Sequence, residues 1–348
     1  MAKKAVESSG KSKIQDALDK LNKAYGVGTV LALDSKSGGD YDVISTGSIG
    51  FDHITLGVGG FVKGKMYELM GWEGSGKSTI CGHAAAECQK TGGTVLYIDG
   101  EHAVDKNYFQ QLGVDTTKML IAQPACGEEG FNIAMEMINT GDIDLVIIDS
   151  DSSLIPKKVL DGEVGDSSIG KKAILNSNAY PKLKSALSAN NVCVIVISQY
   201  REKIGVMFGN PTTTQGGHAL KFYSDCRVEI TKTLAKDGDV AYGNITKVKA
   251  VKNKMSPPYR ISHFEIVYGV GIDKIGEILE LANEFELVKK WGKTVTYNDT
   301  KYDAAEFRTL LEDNPEFFDE LKNMIVGKIK NTEDLPVEII EEDDNDKI

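Results

Sequence analysis

Gly71-Trp72-Glu73-Gly74-Ser75-Gly76-Lys77-Ser78 fits the pattern G-x-x-x-x-G-K-S/T, and its neighbours fit too. Lys65 to Met70 before it reads as a short strand and Ser78 to Lys90 behind it as a helix. Glycines let a backbone curl until its N–H groups face a phosphate, and a helix starting there adds the positive end of its dipole. Lys77 would reach the β- and γ-phosphates of a nucleotide, and the Ser78 hydroxyl would ligate Mg²⁺. A chance match arises somewhere in a chain of this composition at roughly a few per cent. The strand in front and the helix behind make chance a poor account.

Outward from this loop the pattern alternates. Thr94 to Ile98, Leu145 to Ile148 and Val192 to Ile197 are apolar, β-branched runs, and helical stretches cover 130–138 and about 171–189. Such runs separated by helices predict an α/β fold with a mostly parallel, twisted sheet covered on both faces. After about residue 226 the strands read as antiparallel (Arg227–Thr233, Ile245–Val251, His263–Tyr268). Residues 274–330 read as a small α+β unit whose last helix starts at Asn314-Pro315, a cap followed by proline at the first helical position. Near the N-terminus, Ile14, Leu18, Leu21 and Tyr25 make the apolar stripe of a helix over 12–25. Ser12 and Gln15 suggest its capping box, and Gly26 and Gly28 its stop. The expected division is an N-terminal contact segment over 1–36, a core over 37–273, the small unit over 274–330, and a disordered acidic tail over 331–348.

Asp149 ends the strand Leu145–Ile148 and is placed to hold the shell of a Mg²⁺ ion. Glu101 follows the strand Thr94–Ile98, at the carboxyl end of the sheet, where doubly wound folds bind ligands. It is the candidate to activate water. Gln199, after the strand Val192–Ile197, could sense a γ-phosphate. His102 and His218 have no partners at ligand spacing and read as ordinary polar positions.

The 348 residues carry a net charge of −11, which by itself argues against a nucleic-acid partner. The distribution argues otherwise. Residues 333–348 hold eight acids against Lys347 and account for −7, leaving −4 on the rest. The longest apolar run, Val192–Ile197, is too short to span a bilayer. Met1-Ala2-Lys3-Lys4 lacks the apolar stretch of a secretory signal behind its lysines. Five cysteines (Cys81, Cys88, Cys126, Cys193, Cys226) without CxxC spacing read as reduced side chains, and a cytoplasmic location is expected.

With these elements in this order the chain resembles the bacterial and phage RecA recombinase family. Ile44-Ser45-Thr46-Gly47-Ser48, Phe51-Asp52 and Leu56-Gly57 with Gly59-Gly60 resemble the family's lead-in to the phosphate loop, and Ile98 to Ala103 its catalytic-glutamate strand. The most specific matches are Lys203 to Pro211, Gly216 to Tyr223, and Lys249 to Lys254. The resemblance covers roughly 14 to 330.

It implies a DNA-dependent ATPase that polymerises head-to-tail on single-stranded DNA as a helical filament, pairs it with homologous duplex and exchanges strands. ATP and Mg²⁺ are the implied cofactors. A self-cleaving repressor and filament-loading proteins are further implied partners, and a membrane is not one. On matching positions, Gly71, Trp72, Glu73, Gly74, Ser75, Gly76, Lys77, Ser78 and Thr79 hold the nucleotide. Ser78 and Asp149 hold the metal. Glu101, with Lys77 and Gln199, serves catalysis. Asp105 and Tyr108 contact adenine. Lys252 and Lys254 project onto the γ-phosphate of the neighbouring subunit, and Lys221 and Phe222 lie at that interface.

The implied DNA loops are 162–169, with Gly162, Glu163, Val164 and Ile169, and 200–214, with Arg201, Lys203 and Phe208, followed by Gly216, Gly217 and Arg227. Single-stranded DNA binding calls for cations along the backbone and apolar groups near the bases, and these loops supply both. Lys289, Lys290 and Lys293 around Trp291 could guide duplex DNA. The chain departs from better-known members at Ile169, where methionine is usual, at Ile174, often an arginine, and at Pro181. Trp72 and Gly74 replace the usual proline and serine. Two other readings share the phosphate loop: a hexameric helicase, which should lack the 203–223 motif, and a nucleotide-switched DNA-coating protein, which needs no placed base.

Overall fold

The computed structural model describes residues 8–25, 30, 41–163, 170–202, 212–214, 216–332 and 335–336. The chain divides into two compact units, 1–41 and 42–348. The first contributes one helix, α1 (Ser8–Tyr25). It begins a turn before the expected cap at Ser12. Gln15, instead of reaching back across a capping box, donates forward to Asp19 at 3.2 Å.

In the second unit a two-stranded ribbon, β1 (Val43–Ile44) with β2 (Phe61–Val62), precedes the main sheet. The sheet's parallel strands are β3 (Met66–Gly71), β4 (Val95–Asp99), β5 (Leu120–Ala122), β6 (Leu145–Asp149), β7 (Cys193–Glu202) and β9 (Cys226–Asp237). Short β8 (Thr212–Thr214) pairs antiparallel with β7. Antiparallel β10 (Val240–Asn253), β11 (Ile261–Val267) and β12 (Gly271–Ile272) extend the β9 edge, giving the order β12-β11-β10-β9-β3-β7-β6-β4-β5. Helices α2 (Lys77–Lys90), α3 (Lys106–Gln111), α4 (Gly127–Asn139), α5 (Lys157–Leu160), α6 (Lys171–Ala189) and α7 (Ala219–Tyr223) connect the strands.

The apolar runs are continuous because both faces of the parallel sheet are covered. Cys193, Ile195 and Ile197 join the core cluster on the α2 face, while Val194 and Val196 join the cluster under α4 and α6. Pro181 lies inside α6, which runs unbroken around it. β7 continues past the apolar run because β8 pairs its polar end, with Tyr200, Arg201 and Glu202 opposite Thr214, Thr213 and Thr212. The ends of the stretch 200–214, expected as loop, are therefore strand.

The last part comprises α8 (Lys274–Glu284), a meander of β13 (Lys289–Trp291), β14 (Thr294–Tyr297) and β15 (Thr300–Asp303), then α9 (Ala304–Asp313) and α10 (Pro315–Lys330). Asn314 caps α10 through the Phe317 N–H, and proline takes the first helical position. This part has its own apolar cluster, which also takes in Ile49 and Ile54 from the segment after β1. The tail begins later than residue 331. The Asn331 and Thr332 N–H groups bond back into α10, Leu335 is buried in the same cluster, and the Pro336 carbonyl accepts the Ile261 N–H at 3.1 Å. Residues 333–334 and 337–348 lie outside the described residues.

Candidate nucleotide site

A parallel strand followed by a helix leaves its carboxyl end open, and β3, β4, β6 and β7 all end on the same side of the sheet. There Glu73, Gly74, Gly76, Lys77, Ser78, Thr79, Glu101, Tyr108, Asp149 and Gln199 line a cleft of about 340 Å³. Ten of the residues expected from sequence thus converge. Gly76 sits at φ +95°, a conformation L side chains rarely adopt, and a Cβ there would come within 2.5 Å of Ile266. The loop's curl therefore needs glycine at this position. The N-terminus of α2 carries no side-chain cap, and its first residues Lys77, Ser78 and Thr79 line the cleft.

Lys77 is buried, and its Nζ donates to the Gly71 and Trp72 carbonyls at 3.0 and 2.7 Å. Burial pulls its pKa down, opposed by Asp149 and Glu101. Ser78 Oγ donates to Asp149 Oδ2 at 2.7 Å, and Tyr97 donates to the same oxygen at 2.6 Å. Burial pushes the Asp149 carboxyl up, while these two hydroxyls pull it back. A carboxylate and a hydroxyl side by side are hard oxygen ligands, and Mg²⁺ takes one or two such groups together with phosphate oxygens. The residues present fit that ion.

Glu101 extends from the turn after β4. Its Oε1 accepts from Ser150 Oγ at 2.6 Å and from Gln199 Nε2 at 2.7 Å. Two donors on one oxygen fix the carboxylate's orientation and leave the second oxygen free of both. Asp105 does not line the cleft. It caps α3 by accepting the Asn107 and Tyr108 N–H groups, and Tyr108 hydrogen-bonds Thr79 at 2.7 Å. Trp72 meets Tyr200 edge to face at 5.9 Å, joining the phosphate loop to the strand that leads towards β8.

The other expected residues lie elsewhere. Lys252 Nζ donates to the Lys221 and Phe222 carbonyls at 2.8 and 3.2 Å, and Lys254 Nζ lies 3.5 Å from Asp225 Oδ1. Neither lysine lines the cleft of its own chain. Phe222 is 69% exposed. Gly162 and Glu163 follow α5 on the surface, and Arg201 is exposed on β7. Gly216 packs on α6 so closely that a Cβ would lie 2.3 Å from Asn176 Nδ2. Gly217 follows it beside Ala173. Arg227 is mostly buried, and its guanidinium pairs with Glu68 at 2.5 Å. Val164, Ile169, Lys203 and Phe208 lie outside the described residues.

Ser150, Tyr97 and the opposite wall of the cleft (Asn244, Ile266, Tyr268 and Gly269) escaped the sequence reading. Ser150 directly follows Asp149, a position that could have drawn attention to it. The wall residues come from β10, β11 and the turn after β11, and no local motif marks them.

The RecA N-terminal domain model matches residues 12–273 of this chain. The chain is 48% identical over 321 residues to Protein RecA of Cytophaga hutchinsonii, covering 91% of this chain and 90% of that protein. It is 44% identical over 318 residues to Protein RecA of Porphyromonas gingivalis, with coverages of 90% and 93%. With Protein RecA of Clostridioides difficile it shares 43% identity over 324 residues, with coverages of 92% and 93%.

Proposed function

This chain belongs to the RecA family, and from that premise we propose that it is a DNA-dependent ATPase and homologous recombinase. In this reading it assembles head-to-tail on single-stranded DNA as a helical filament, pairs it with homologous duplex and exchanges strands in recombination and repair. The hydrogen bond from Gln199 to Glu101 carries the reading. It joins the candidate base to β7, the strand that runs on through Arg201 to its pairing with β8. A nucleotide-dependent change at Glu101 therefore has a direct route to the segment proposed to hold DNA.

The roles follow from position. The loop Gly71–Thr79 binds the phosphates, with Lys77 exchanging its carbonyl partners for phosphate oxygens. Ser78 and Asp149 hold Mg²⁺, which when bound would shield phosphate charge. Glu101 takes the proton of the attacking water through the oxygen its two donors leave free. Tyr108 stacks on adenine, and Asp105 fixes the helix that carries Tyr108. Lys252 and Lys254, remote from the cleft of their own chain, reach the γ-phosphate held by the neighbouring copy across an interface that includes Lys221 and Phe222. Residues 162–169 and 200–214 bind DNA, with Arg201 on the backbone. The filament would in turn present a surface to a self-cleaving repressor and to loading proteins. Among the described residues no helix is long and apolar enough to cross a membrane, and we place the activity in the cytoplasm.

The test is ATP hydrolysis with and without single-stranded DNA, using Lys77→Ala as control. Strong stimulation by DNA that the variant loses supports the reading, and strand exchange is the next assay. Equal turnover with and without DNA points to a different ATPase of this fold, to be searched for rings instead of filaments.

A further inference from the structure

Asp225 stands immediately before β9, 4% exposed. A carboxylate so buried needs hydrogen bonds and a counter-charge. Its Oδ2 receives both the Met66 N–H at 2.9 Å and the ammonium of Lys184 from α6. Its Oδ1 faces Lys254 Nζ at 3.5 Å, beyond the ordinary range of a hydrogen bond. The Lys254 side chain is 53% exposed and that of Lys184 23%. The buried charge is thus satisfied from the α6 side, and Lys254 is only loosely held. Two other cations nearby are engaged elsewhere, Lys252 by the carbonyls of Lys221 and Phe222 and Arg227 by Glu68.

We propose that Lys184 is a positioning residue for Lys254: by neutralising Asp225 it leaves Lys254 free to reach the phosphate held by a second copy of the chain. The inference rests on the role given to Lys254 above. Without Lys184, the only cation left within ion-pair distance of Asp225 among the described residues is Lys254. The buried carboxylate would then draw that lysine inward, off the surface that meets the neighbour.

The experiment compares the full-length protein with Lys184→Met, which keeps the aliphatic stem, with Asp225→Asn, and with the double variant. DNA-stimulated ATP turnover is read against protein concentration. Nucleotide affinity of the DNA-free protein is read with a fluorescent ATP analogue. Lys184→Met is expected to lower stimulated turnover roughly tenfold while leaving affinity within about twofold. Adding Asp225→Asn should bring turnover back to within about threefold of the parent, because no buried charge remains to capture Lys254. Unchanged turnover in Lys184→Met overturns the proposal. So does a double variant that stays as slow as Lys184→Met while melting at the temperature of Asp225→Asn. Lys254→Ala separates the two layers. Full stimulation in that variant removes the premise about Lys254, whereas a parent protein that DNA does not stimulate at all sinks the proposed function itself.

Discussion

Ser150 and Gln199 decide where Glu101 points, since both donate to its Oε1. Ser150→Ala removes one donor and no part of the phosphate loop. Its expected signature is a fall in turnover of about tenfold with nucleotide affinity retained. A parallel rise in the nucleotide Kd would assign Ser150 to binding instead. Glu101→Gln should abolish turnover while single-stranded DNA is still bound, and retained turnover would identify another group as the base. The curl of the loop 71–78 was legible in sequence because its backbone geometry calls for glycine at a fixed position, with Gly76 at φ +95°. Ser150 was not, because its partner comes from 49 residues away and meets it only through the pairing of β4 with β6. Tyr97 was hidden for a different reason: it sits inside an apolar run and is fully enclosed, yet its hydroxyl ends on Asp149.

At the scale of elements, the junction after β1 is held by Glu277 of α8. Its Oε1 accepts from the Ser48 hydroxyl and the Gly50 N–H, and its Oε2 from the Ile49 N–H. Burial nevertheless pushes its carboxyl up to about 7, and does the same to Asp52 nearby. With a raised folded-state pKa, the stability these groups contribute is fully present below the unfolded value and is lost as pH rises through about 7. His53 and His83, pushed down to about 4 by burial, oppose this on the acid side, so a single melting profile mixes the terms. The difference between the parent and Glu277→Gln isolates one of them. Gln does not titrate, and its amide would set N–H against N–H. The parent's advantage should therefore be fully present below about pH 4.5 and shrink by about 2 kcal/mol between pH 5.5 and pH 8. A constant gap across that range would show that Glu277 does not titrate there. Phe307, fully enclosed by Tyr297, Tyr302 and Phe317, anchors the same region. Phe307→Ala should cost about 3–5 kcal/mol by chemical denaturation, and a loss under about 1 kcal/mol would mean the cluster collapses to refill the space. Element types were readable from hydrophobic period, but ends were not. β7 outran its apolar run because its polar tip pairs with β8, and α1 began four residues before Ser12 because a possible cap is not an obligatory one.

For the whole molecule, the distribution of charge carries more than the net value of −11. An acidic segment competes with DNA for any basic surface it can reach, and that competition weakens as salt screens it. Sequence alone placed the tail from residue 331, since composition changes there and acids dominate. It could not show that Leu335 returns to the apolar cluster of α10, or that the Pro336 carbonyl takes the N–H of Ile261, since both contacts are made with elements distant in sequence. The division matters for the experiment. Deleting 337–348 removes a charge of −5 and keeps both contacts. Deleting 333–348 also strips Leu335 from the core, at a cost of about 2 kcal/mol. The shorter deletion should speed loading onto duplex DNA most at low salt, with melting unchanged, while the longer one adds a lowered melting temperature. Loading rates that match the parent across a salt series would exclude competition by the tail. Faster loading confined to the longer deletion would trace the effect to the loosened core and not to the charge.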